Sequence, residues 1–435
     1  MKPGISIDVN DVIAVILGGG EGTRLFPLTK ERSKPAVPLG CKYRFVDIPL
    51  SMSINSGIKR IFLLTQYLSS SLHRHIQQSY SFDHYAPQGF IEILAAQKNR
   101  SGHDWYLGTA DAVRQNVIHF DNHRYEHVLI LSGDQLYRMD YRDILNFHAQ
   151  SGADITVATI PVIREPAKSF GIMHIDEKQR IIHFVEKPKE DSLLDTLRLP
   201  ATTLAQLGKH EEDDLFLASM GIYVFNQEVL KKALENEDIQ DFGKHIIPSL
   251  ISSHKVCAYI HEGYWEDIGT IRAYYEANLN LTDPIPKFNF YDTSSPIYTH
   301  ARYLPASKVN RAHISRAVFS DGCIVTNADI IHSLVGLRTR IESGVIIKDS
   351  IILGSDFFET LRDREENLRL GRPHLGIGEN SFVEGCIVDK NPRIGKNVII
   401  RSEGKTQDED HPLYHVRDGI VIIPKNTTIP DGTVI

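Results

Sequence analysis

The sequence predicts an α/β protein in which a mostly parallel, Rossmann-like sheet domain is followed by a parallel β-helix domain. Three observations support this prediction. Short apolar runs alternate with helical periods in the first 280 residues, an apolar residue recurs every six positions in the last third, and 284–310 shows neither pattern. A chain of 435 residues also exceeds what one hydrophobic core usually holds. We therefore predict domains over 1–283 and 311–435, with a connector over 284–310.

The first domain is predicted from buried strands with helices between them. Runs rich in Ile, Val and Leu predict strands, and segments with a helical period predict helices. The ranges are strands at 12–17, 60–65, 127–131 and 154–160, and helices at 69–78, 109–119 and 141–150. This alternation indicates βαβ units and a mostly parallel sheet with helices on both faces. Since ligands bind such sheets beyond the carboxyl ends of the strands, residues that follow a strand are the functional candidates.

The second domain is predicted from a six-residue apolar period. The residues in phase are Val335, Ile341, Ile347 and Leu353, then Phe382, Val388, Ile394 and Ile400, then Ile423, Ile429 and Ile435. Such a period is typical of a parallel β-helix, whose stacked coils bury one aliphatic residue per face, but it does not give the hand of the coil. The charged stretches 356–376 and 402–419 break the period, and each is predicted to leave the coil as a loop or short helix.

Composition excludes several classes of protein. A formal net charge of -7 leaves no excess of Lys and Arg to neutralise a nucleic-acid backbone. No segment approaches the roughly 20 apolar residues that span a bilayer, and the first residues have no secretory pattern, so we expect a cytoplasmic protein without membrane partners. The cysteines have no metal-site spacing and are expected to be buried thiols; they are Cys41, Cys257, Cys323 and Cys386.

A glycine-rich stretch follows the first predicted strand. The segment "LGGGEGTRLFPLTKERSKP" has neither the lysine of a Walker A loop nor the spacing of a dinucleotide fingerprint. It still offers free backbone N–H groups for phosphate or base, with Arg24 and Lys34 as cations close by. The alternative is a plain glycine-rich turn with solvent-facing cations.

Two carboxylates and one Glu-Lys pair stand at the boundaries of predicted strands and helices. Asp134 follows the strand at 127–131, Asp267 stands in "YWEDIGT", and Glu186 precedes Lys187 in "HFVEKP". Two aspartates suit Mg²⁺, which prefers hard oxygen ligands and keeps several waters. Lys187 is placed to bind a monoester phosphate. The alternatives are a helix cap at Asp134 and a solvated lysine at 187.

Ten blocks of the sequence together resemble one enzyme family. They are "GGGEGTRLFPLTKERSKPAVPLG", "KYRFVDIPLS", "INSGI", "AAQ", "WYLGTADAVRQN", "GDQLYRMDY", "FVEKP", "ASMGIYVF", "DFGKHIIP" and "GYWEDIGT". The chain resembles the glucose-1-phosphate adenylyltransferases, or ADP-glucose pyrophosphorylases, over essentially its whole length. The segments "KPAVPLG", "SSPIYT" and "RYLPASK" resemble the plant and cyanobacterial type more than the enterobacterial type.

The resemblance implies a fold, a reaction and partners. The fold would be a nucleotidyltransferase sheet domain followed by a left-handed β-helix that serves regulation and oligomerisation, in a homotetramer. The reaction would join ATP and α-D-glucose 1-phosphate with Mg²⁺ as cofactor, giving ADP-glucose and pyrophosphate, the committed step of glycogen and starch synthesis. Small-molecule effectors, 3-phosphoglycerate and phosphate, would regulate it.

The resemblance also assigns roles to residues. The catalytic residues would be Arg24 and Lys34, which neutralise the leaving phosphates, and Asp134, which holds Mg²⁺ together with Asp267. The nucleotide would be bound by Leu17, Gly18, Gly19, Gly20, Thr23, Gln97, Gly108 and Thr109. Glucose 1-phosphate would be bound by Tyr106, Gly171, Glu186, Lys187 and Ser219. The effector lysines would be Lys390 and Lys425, with Arg32 and Arg44 as weaker candidates; the alternative is that the lysines only decorate β-helix turns.

Departures from the family pattern leave alternatives open. Gln135 stands where the family usually has histidine, which makes a general base at that position unexpected. Glu31 replaces the regulatory lysine of the enterobacterial type, so activation by fructose 1,6-bisphosphate through that residue is not expected. The other candidates are a sugar nucleotidyltransferase that uses GTP or dTTP, a hexapeptide acyltransferase with His313 or His332, and a non-catalytic regulatory subunit. The presence of all the predicted metal and phosphate ligands favours catalysis.

Overall fold

A computed structural model describes residues 6–81, 89–97, 105–210 and 212–435. Its first domain is built on a nine-stranded sheet with helices on both faces. The strands of this domain are β1 Val12–Gly18, β2 Pro38–Leu39, β3 Tyr43–Arg44, β4 Arg60–Thr65, β5 Phe90–Ala95, β6 His127–Ser132, β7 Gln135–Tyr137, β8 Ile155–Ile163, β9 Gly171–Ile175, β10 Ile181–Glu186, β11 Leu215–Asn226, β12 Val256–Ile260 and β13 Trp265–Asp267.

The α-helices within the described ranges include those predicted between the first strands, with ends shifted by one residue at most. They are α1 Asp47–Asn55, α2 Ser70–Ser79, α3 Thr109–Phe120, α4 Tyr141–Ser151, α5 Arg164–Ala167, α6 Asp191–Asp195, α7 Ala201–Gln206, α8 Gln227–Leu234, α9 Ile247–Leu250, α10 Ile271–Asn280 and α11 Leu361–Arg369. Short 3₁₀ turns cover Val9–Asp11, Thr23–Leu25 and Lys34–Ala36, and a π-helical turn covers Phe242–Ile246. No helix of the described residues is long and apolar enough to cross a membrane.

Four strands form the parallel centre of the sheet, in the order β5, β4, β1 and β6. Every residue of β1 from Val12 to Ile16 is fully buried. Because side chains alternate across a strand, Val12, Ala14 and Ile16 pack into one core while Ile13 and Val15 pack into the other. The predicted α/β class and its mostly parallel first domain are confirmed.

The other half of the sheet is mostly antiparallel, with β12 parallel to β8, and this was not predicted from the sequence. The long strand β11 runs antiparallel to β6, β8 and β9. Its register shifts between Ser219 and Tyr223, so its first half pairs with β9 and its second half with β6. This irregularity bends the strand beside the carboxyl end of β6 and exposes Ser219 there.

The segment 281–307 contains no helix or strand and packs on the first domain. Asn55 Nδ2 donates to the Pro296 carbonyl oxygen over 2.9 Å, and the Tyr298 N–H donates to Ser51 Oγ over 2.8 Å. These contacts agree with a connector that follows a surface, while the limits at residues 283 and 311 stay a prediction.

The second domain is a β-helix of stacked parallel strands. Its strands are β14 Lys308–Asn310, β15 His313–Phe319, β16 Ile324–Thr326, β17 Asp329–Val335, β18 Arg340–Ile341, β19 Ile346–Lys348, β20 Ile351–Ile352, β21 Gly376–Ile377, β22 Phe382–Glu384, β23 Cys386–Val388, β24 Arg393–Ile394, β25 Ile399–Arg401, β26 Glu409–Asp410, β27 His415–Arg417, β28 Ile420–Ile423 and β29 Thr428–Ile429. One column stacks β14, β16, β18, β21, β24 and β29. Ile330 stacks on Ile347, and Val383 on Ile400, and all four are fully buried. The predicted parallel β-helix is therefore confirmed.

The two interruptions of the period have different structures. The stretch 356–376 leaves the coil as predicted and contains α11, whose first turn is capped by Thr360 and Asp363. The stretch 402–419 was predicted as a loop or short helix, and this is wrong for its second half. There β26 and β27 form an antiparallel hairpin that continues into β28. The overlooked signal is Asp418-Gly419, both at positive φ, between alternating apolar residues, which is a hairpin turn.

Candidate active site and effector site

A cavity of about 480 Å³ lies at the carboxyl ends of β1, β4 and β6. Both its position and its size are typical of ligand sites in α/β sheets. The predicted site residues that form its wall are Leu17, Gly19, Gly20, Arg24, Tyr106, Gly108, Thr109, Asp134, Gly171, Glu186, Lys187, Ser219 and Asp267. Residues assigned from seven separate stretches of sequence therefore surround one cavity.

The ends of β1 and β6 approach each other closely at Gly133. Its N–H donates to the Leu17 carbonyl oxygen over 3.1 Å. A Cβ atom at this position would lie only 2.9 Å from the same oxygen, so a side chain would force the strand ends apart. Glycine at 133 thus holds the next residue, Asp134, beside the glycine-rich turn.

A two-stranded antiparallel ribbon brings the two aspartates together. β7 pairs with β13 in a register that places Asp267 opposite Gln135. Lys34 Nζ lies 2.6 Å from Asp134 Oδ2 and 3.9 Å from Asp267 Oδ1, and only 7% of Lys34 is exposed. Ser132 Oγ donates to the other oxygen of Asp134. The two carboxylates therefore converge on one place, which a positive charge already occupies.

The pKa values of the two aspartates move in opposite directions. Burial raises the pKa of each carboxyl, but the direct contact with Lys34 outweighs burial at Asp134, whose pKa falls below its ordinary value. Burial prevails at Asp267, because Lys34 is farther away and the Asp134 charge adds repulsion, so the pKa of Asp267 is raised. A single lysine therefore leaves Asp267 incompletely neutralised.

The carboxylate oxygens of Asp134 and Asp267 suit a divalent cation that prefers hard oxygen ligands. Its two carboxylates offer only oxygen, and the described ranges hold no cluster of three or more His, Cys, Asp or Glu that would bind a metal. Two protein carboxylates, with the other ligands drawn from water and phosphate, match the habits of Mg²⁺ and not those of structural zinc. The prediction of metal ligands at Asp134 and Asp267 is compatible with this geometry.

Arg24 lies on the other side of Asp267. A Cβ atom added to Gly269 would be 2.9 Å from Asp267 Oδ2 and 3.0 Å from Arg24 Nη2. Arg24 is exposed to the cavity, whereas Lys34 lies behind Asp134. The two predicted phosphate-binding cations thus flank the two aspartates.

Four predicted site residues do not form the cavity wall. Gly18 is buried at the end of β1, and Lys34 reaches the site only through the aspartates. Thr23 begins the 3₁₀ turn after the glycines and is exposed, and Gln97 is exposed just beyond β5. The roles predicted for Thr23 and Gln97 stay predictions, since the structure gives neither a contact with the cavity.

Another part of the cavity wall is a recess around Glu186. Glu186 pairs with Gly171 across β9 and β10. A Cβ atom at Gly171 would lie 2.5 Å from Phe184 Cζ and 2.8 Å from Glu186 Oε2, so glycine keeps the carboxylate accessible. Lys187 follows at φ 51, and its Nζ lies 3.5 Å from Glu186 Oε1. A carboxylate and an ammonium therefore stand side by side in the recess.

The wall also contains residues to which the sequence assigned no role. They include Gln66, Tyr67, Tyr223, Asp241 and Trp265. Asp241 accepts a 3.0 Å hydrogen bond from Thr109 Oγ1 and caps the turn Phe242–Ile246. Two signals were available: Asp241 stands in the block "DFGKHIIP", and Gln66 directly follows β4, where functional residues are expected.

The predicted effector lysines meet at one carboxylate. Lys390 Nζ lies 2.7 Å from Asp356 Oδ1, and Lys425 Nζ lies 3.2 Å from Asp356 Oδ2. Burial lowers the pKa of Lys390 to about 8 although Asp356 opposes the shift. The pKa of Asp356 is lowered, since the two lysines outweigh the effect of its burial. We name Lys390, Lys425 and Asp356 the lysine-aspartate cluster.

The two weaker effector candidates differ in their surroundings. Arg32 Nη1 lies 3.0 Å from both oxygens of Asp389, and this ion pair between the domains is buried. Among the described residues, Arg44 has no such counter-ion. Burial lowers the pKa of Arg44 to about 10. The charge of Arg32 contributes to this fall, although Asp47 opposes the shift. The Arg44 charge also lowers the pKa of Lys390, so Arg44 lies near the lysine-aspartate cluster whereas Arg32 is paired elsewhere.

Comparison with protein families matches almost the whole chain. Residues 13–284 match the model of the nucleotidyl transferase family, described as "Nucleotidyl transferase". Residues 302–434 match the model of the "GLGC left-handed parallel beta-helix domain". The second match gives the coil the left hand that the sequence resemblance implied.

Proposed function

Since this chain belongs to the nucleotidyl transferase family and carries a left-handed β-helix domain of the ADP-glucose pyrophosphorylase-like type, we propose that it is a glucose-1-phosphate adenylyltransferase. It would transfer the adenylyl group of ATP to α-D-glucose 1-phosphate, the committed step toward glycogen or starch. The observation that supports this most is one cavity whose wall holds both the two converging aspartates and the Glu186–Lys187 recess. The cavity thus has groups suited to a polyphosphate and groups suited to a sugar phosphate.

The proposed chemistry is an in-line displacement at phosphorus. A phosphate oxygen of glucose 1-phosphate attacks the α-phosphorus of ATP, the bond from that phosphorus to the oxygen of the β-phosphate breaks, and pyrophosphate leaves. No nucleophile of the protein is needed. The rate then depends on positioning and on stabilisation of developing charge.

The glycine-rich turn and the two cations would receive ATP. Gly19 and Gly20 line the cavity with backbone and little side chain, which lets polyphosphate or base approach closely. Arg24 and Lys34 would neutralise the departing pyrophosphate. Lys34 must loosen its 2.6 Å contact with Asp134 to do so, and a cation at the two aspartates would favour that exchange.

Asp134 and Asp267 would hold a Mg²⁺ ion. When bound, this ion supplies neutralisation of negative charge at the α-phosphate. Asp134 keeps its charge because its pKa is lowered, and Ser132 fixes the direction of its carboxylate. The protein's contribution is therefore two anionic ligands held in place by β6, β7 and β13.

The recess around Glu186 and Lys187 would bind the sugar phosphate. Glu186 would accept hydrogen bonds from sugar hydroxyls, and Lys187 would bind the phosphate. Gly171 leaves room for a ring against Glu186, and Tyr106 and Ser219 also line this cavity. A hydroxyl-rich, singly phosphorylated sugar matches this donor set.

Regulation would be exerted by an anion at the lysine-aspartate cluster. We propose 3-phosphoglycerate and phosphate as effectors, as in the plant and cyanobacterial type, in a homotetramer. Both ammonium groups already form ion pairs with Asp356. An effector anion must therefore displace the Asp356 carboxylate or bind beside it, close to Arg44. Burial lowers the pKa of Lys390 to about 8, and the charges of Arg44 and Arg302 contribute to this fall, so an anion that offsets these cations would be favoured there.

A nucleotide-by-sugar activity matrix tests the proposal. Pyrophosphate release is measured for ATP, GTP and dTTP against several sugar 1-phosphates, each with and without 3-phosphoglycerate, fructose 1,6-bisphosphate and phosphate. We expect the highest kcat/KM for ATP with glucose 1-phosphate. Preference for GTP or dTTP would contradict adenylyl transfer, and absence of turnover with every pair would favour a regulatory subunit.

A further inference from the structure

We propose that the side-chain amide of Gln135 donates hydrogen bonds to the sugar phosphate, and that this residue is a specificity determinant of the site. The inference rests on the proposed function, since it assigns a further contact to the same acceptor substrate. No family motif gives this role to a glutamine here, because the resemblance predicts histidine at this position.

The orientation of the amide is fixed by a neighbour. Trp265 Nε1 donates to Gln135 Oε1 over 3.1 Å. An indole N–H is only a donor, so it must face the amide oxygen and cannot face the nitrogen. The two N–H groups of Gln135 Nε2 therefore point away from Trp265.

Those N–H groups face the bend in β11. Gln135 lines the cavity, and its Nε2 lies 3.6 Å from the position that a Cβ atom of Gly221 would take, so the glycine leaves the amide uncovered on that side. Ser219, a predicted sugar-phosphate ligand, is two residues away in the same bend and lines the same cavity. Among the residues that the structure describes, Nε2 has no hydrogen-bond acceptor within reach. Gln135 Nε2 thus offers two oriented donors that have no acceptor among these residues.

The position of Gln135 indicates that its side chain would contact the sugar phosphate and not ATP. The residue follows Asp134 directly, so it lies next to the place where the two substrates meet. Its side chain, however, contacts Trp265, whose ring packs edge-on against Phe170 at 5.2 Å, beside Gly171 in the sugar recess. Gln135 is 8% exposed and lines the cavity, so a bound substrate would cover its donors, which is favourable when the substrate supplies an acceptor. The oxygens of a sugar phosphate provide such acceptors.

Two substitutions and one matched control test the contact. Gln135→Glu keeps the oxygen that accepts from Trp265 but replaces the donors by an anionic oxygen, and Gln135→Met keeps the length without polar atoms. Trp265→Phe keeps an aromatic ring but removes the N–H that orients the amide. Circular dichroism and thermal melting check that each variant is folded. The measurements are KM for ATP and for glucose 1-phosphate, and binding of glucose 1-phosphate in the presence of a non-hydrolysable ATP analogue.

We expect Gln135→Glu to weaken glucose 1-phosphate binding about 10- to 100-fold and Gln135→Met about tenfold, with KM for ATP changed by less than about threefold. Trp265→Phe should weaken binding by less than Gln135→Met does, since the donors remain. Equal losses in Trp265→Phe and Gln135→Met would overturn the proposal in favour of a purely structural role. An increase confined to KM for ATP would overturn it as well.

Separate measurements distinguish failure of the proposed function from failure of the Gln135 contact. A wild-type protein without turnover for any substrate pair would contradict adenylyl transfer. Direct titration with glucose 1-phosphate would still compare the wild type with Gln135→Glu. Equal binding constants in that titration, or no binding to either protein, would refute the contact whatever the reaction is.

Discussion

Replacing either member of the buried Arg32–Asp389 pair should destabilise the protein, whereas replacing both should cost much less. Arg32 precedes the first domain's 3₁₀ turn at Lys34–Ala36, and Asp389 lies in the β-helix, directly after β23. Arg32 is 5% exposed and Asp389 2% exposed, and one guanidinium nitrogen lies 3.0 Å from both carboxylate oxygens. Arg32 Nη1 also donates to the Leu28 carbonyl oxygen over 3.3 Å, while Nη2 has no partner among the described residues.

The expected magnitude follows from this geometry. Two unit charges 3 Å apart attract by about 5 kcal/mol at an effective dielectric constant of ~20, and the desolvation of both ions offsets much of that gain. Removing one partner leaves the other charge buried and unpaired, which costs about 3–5 kcal/mol. Removing both leaves mainly the loss of the 2.6 Å hydrogen bond from the Lys390 N–H to Asp389, about 1 kcal/mol. The coupling energy between the two sites should therefore be several kcal/mol.

The assay is a double-mutant cycle on urea unfolding with Arg32→Met, Asp389→Leu and the double variant. A second cycle, with Lys42→Met and Asp321→Leu, is the control, since that pair also joins the two domains but is 39% and 50% exposed. Its coupling should stay below about 1 kcal/mol. A coupling between Arg32 and Asp389 as small as the control value would refute the reasoning. Unchanged stability in Arg32→Met together with altered response to 3-phosphoglycerate would instead assign Arg32 to the effector site.

Four further predictions concern single substitutions. Asp134→Asn should keep the fold but lower kcat by about 10³-fold or more, because an electrostatic ligand of the transfer centre is lost; near-normal turnover would contradict the metal assignment. Gly171→Ala should raise KM for glucose 1-phosphate at least about tenfold with KM for ATP unchanged, because the new methyl group would lie 2.8 Å from Glu186 Oε2; equal effects on both substrates would contradict the position of the sugar recess. Burial lowers the pKa of His148 from 6.5 to about 4, so the unfolded state binds the proton first. Stability should thus fall by ~3 kcal/mol as the pH falls from about 6.5 to about 4, and His148→Gln should remove this fall in urea unfolding. Asp356→Asn should lower the half-saturating concentration of 3-phosphoglycerate about tenfold relative to wild type, because the competing carboxylate charge is gone; an unchanged value would contradict competition at the lysine-aspartate cluster.

The sequence analysis located the parts of the fold that repeat or alternate locally. The strand that becomes β1 is a short apolar run before glycines, and the coils of the β-helix have one buried aliphatic residue per face, so both leave a regular signal within a few residues. The candidate cavity was predictable for the same reason, since functional residues in such sheets follow the strands. Asp134 and the glycine-rich turn were found by that rule.

The features that were missed depend on contacts between distant residues. Nothing in the residues of β11 reveals its antiparallel direction, and its register shift after Ser219 depends on pairing with β8. The partner of Lys34 is 100 residues away in Asp134, and the partner of Arg32 lies in the other domain. Asp356 belongs to a stretch that appeared only as a break in the repeat, so its contact with both effector lysines gave no sequence signal.

The structure connects these long-range contacts through one short segment. Arg32 is held by the β-helix at Asp389, and two residues later Lys34 binds Asp134 in the candidate active site. Asp389 is itself bonded to the backbone of Lys390, whose ammonium group belongs to the lysine-aspartate cluster. An anion that shifts Lys390 would therefore act on a buried, nearly incompressible set of contacts that ends at Lys34. Since such a set transmits displacement only while its ion pairs are intact, the Arg32–Asp389 pair is the place where coupling between the two domains should be interrupted most effectively.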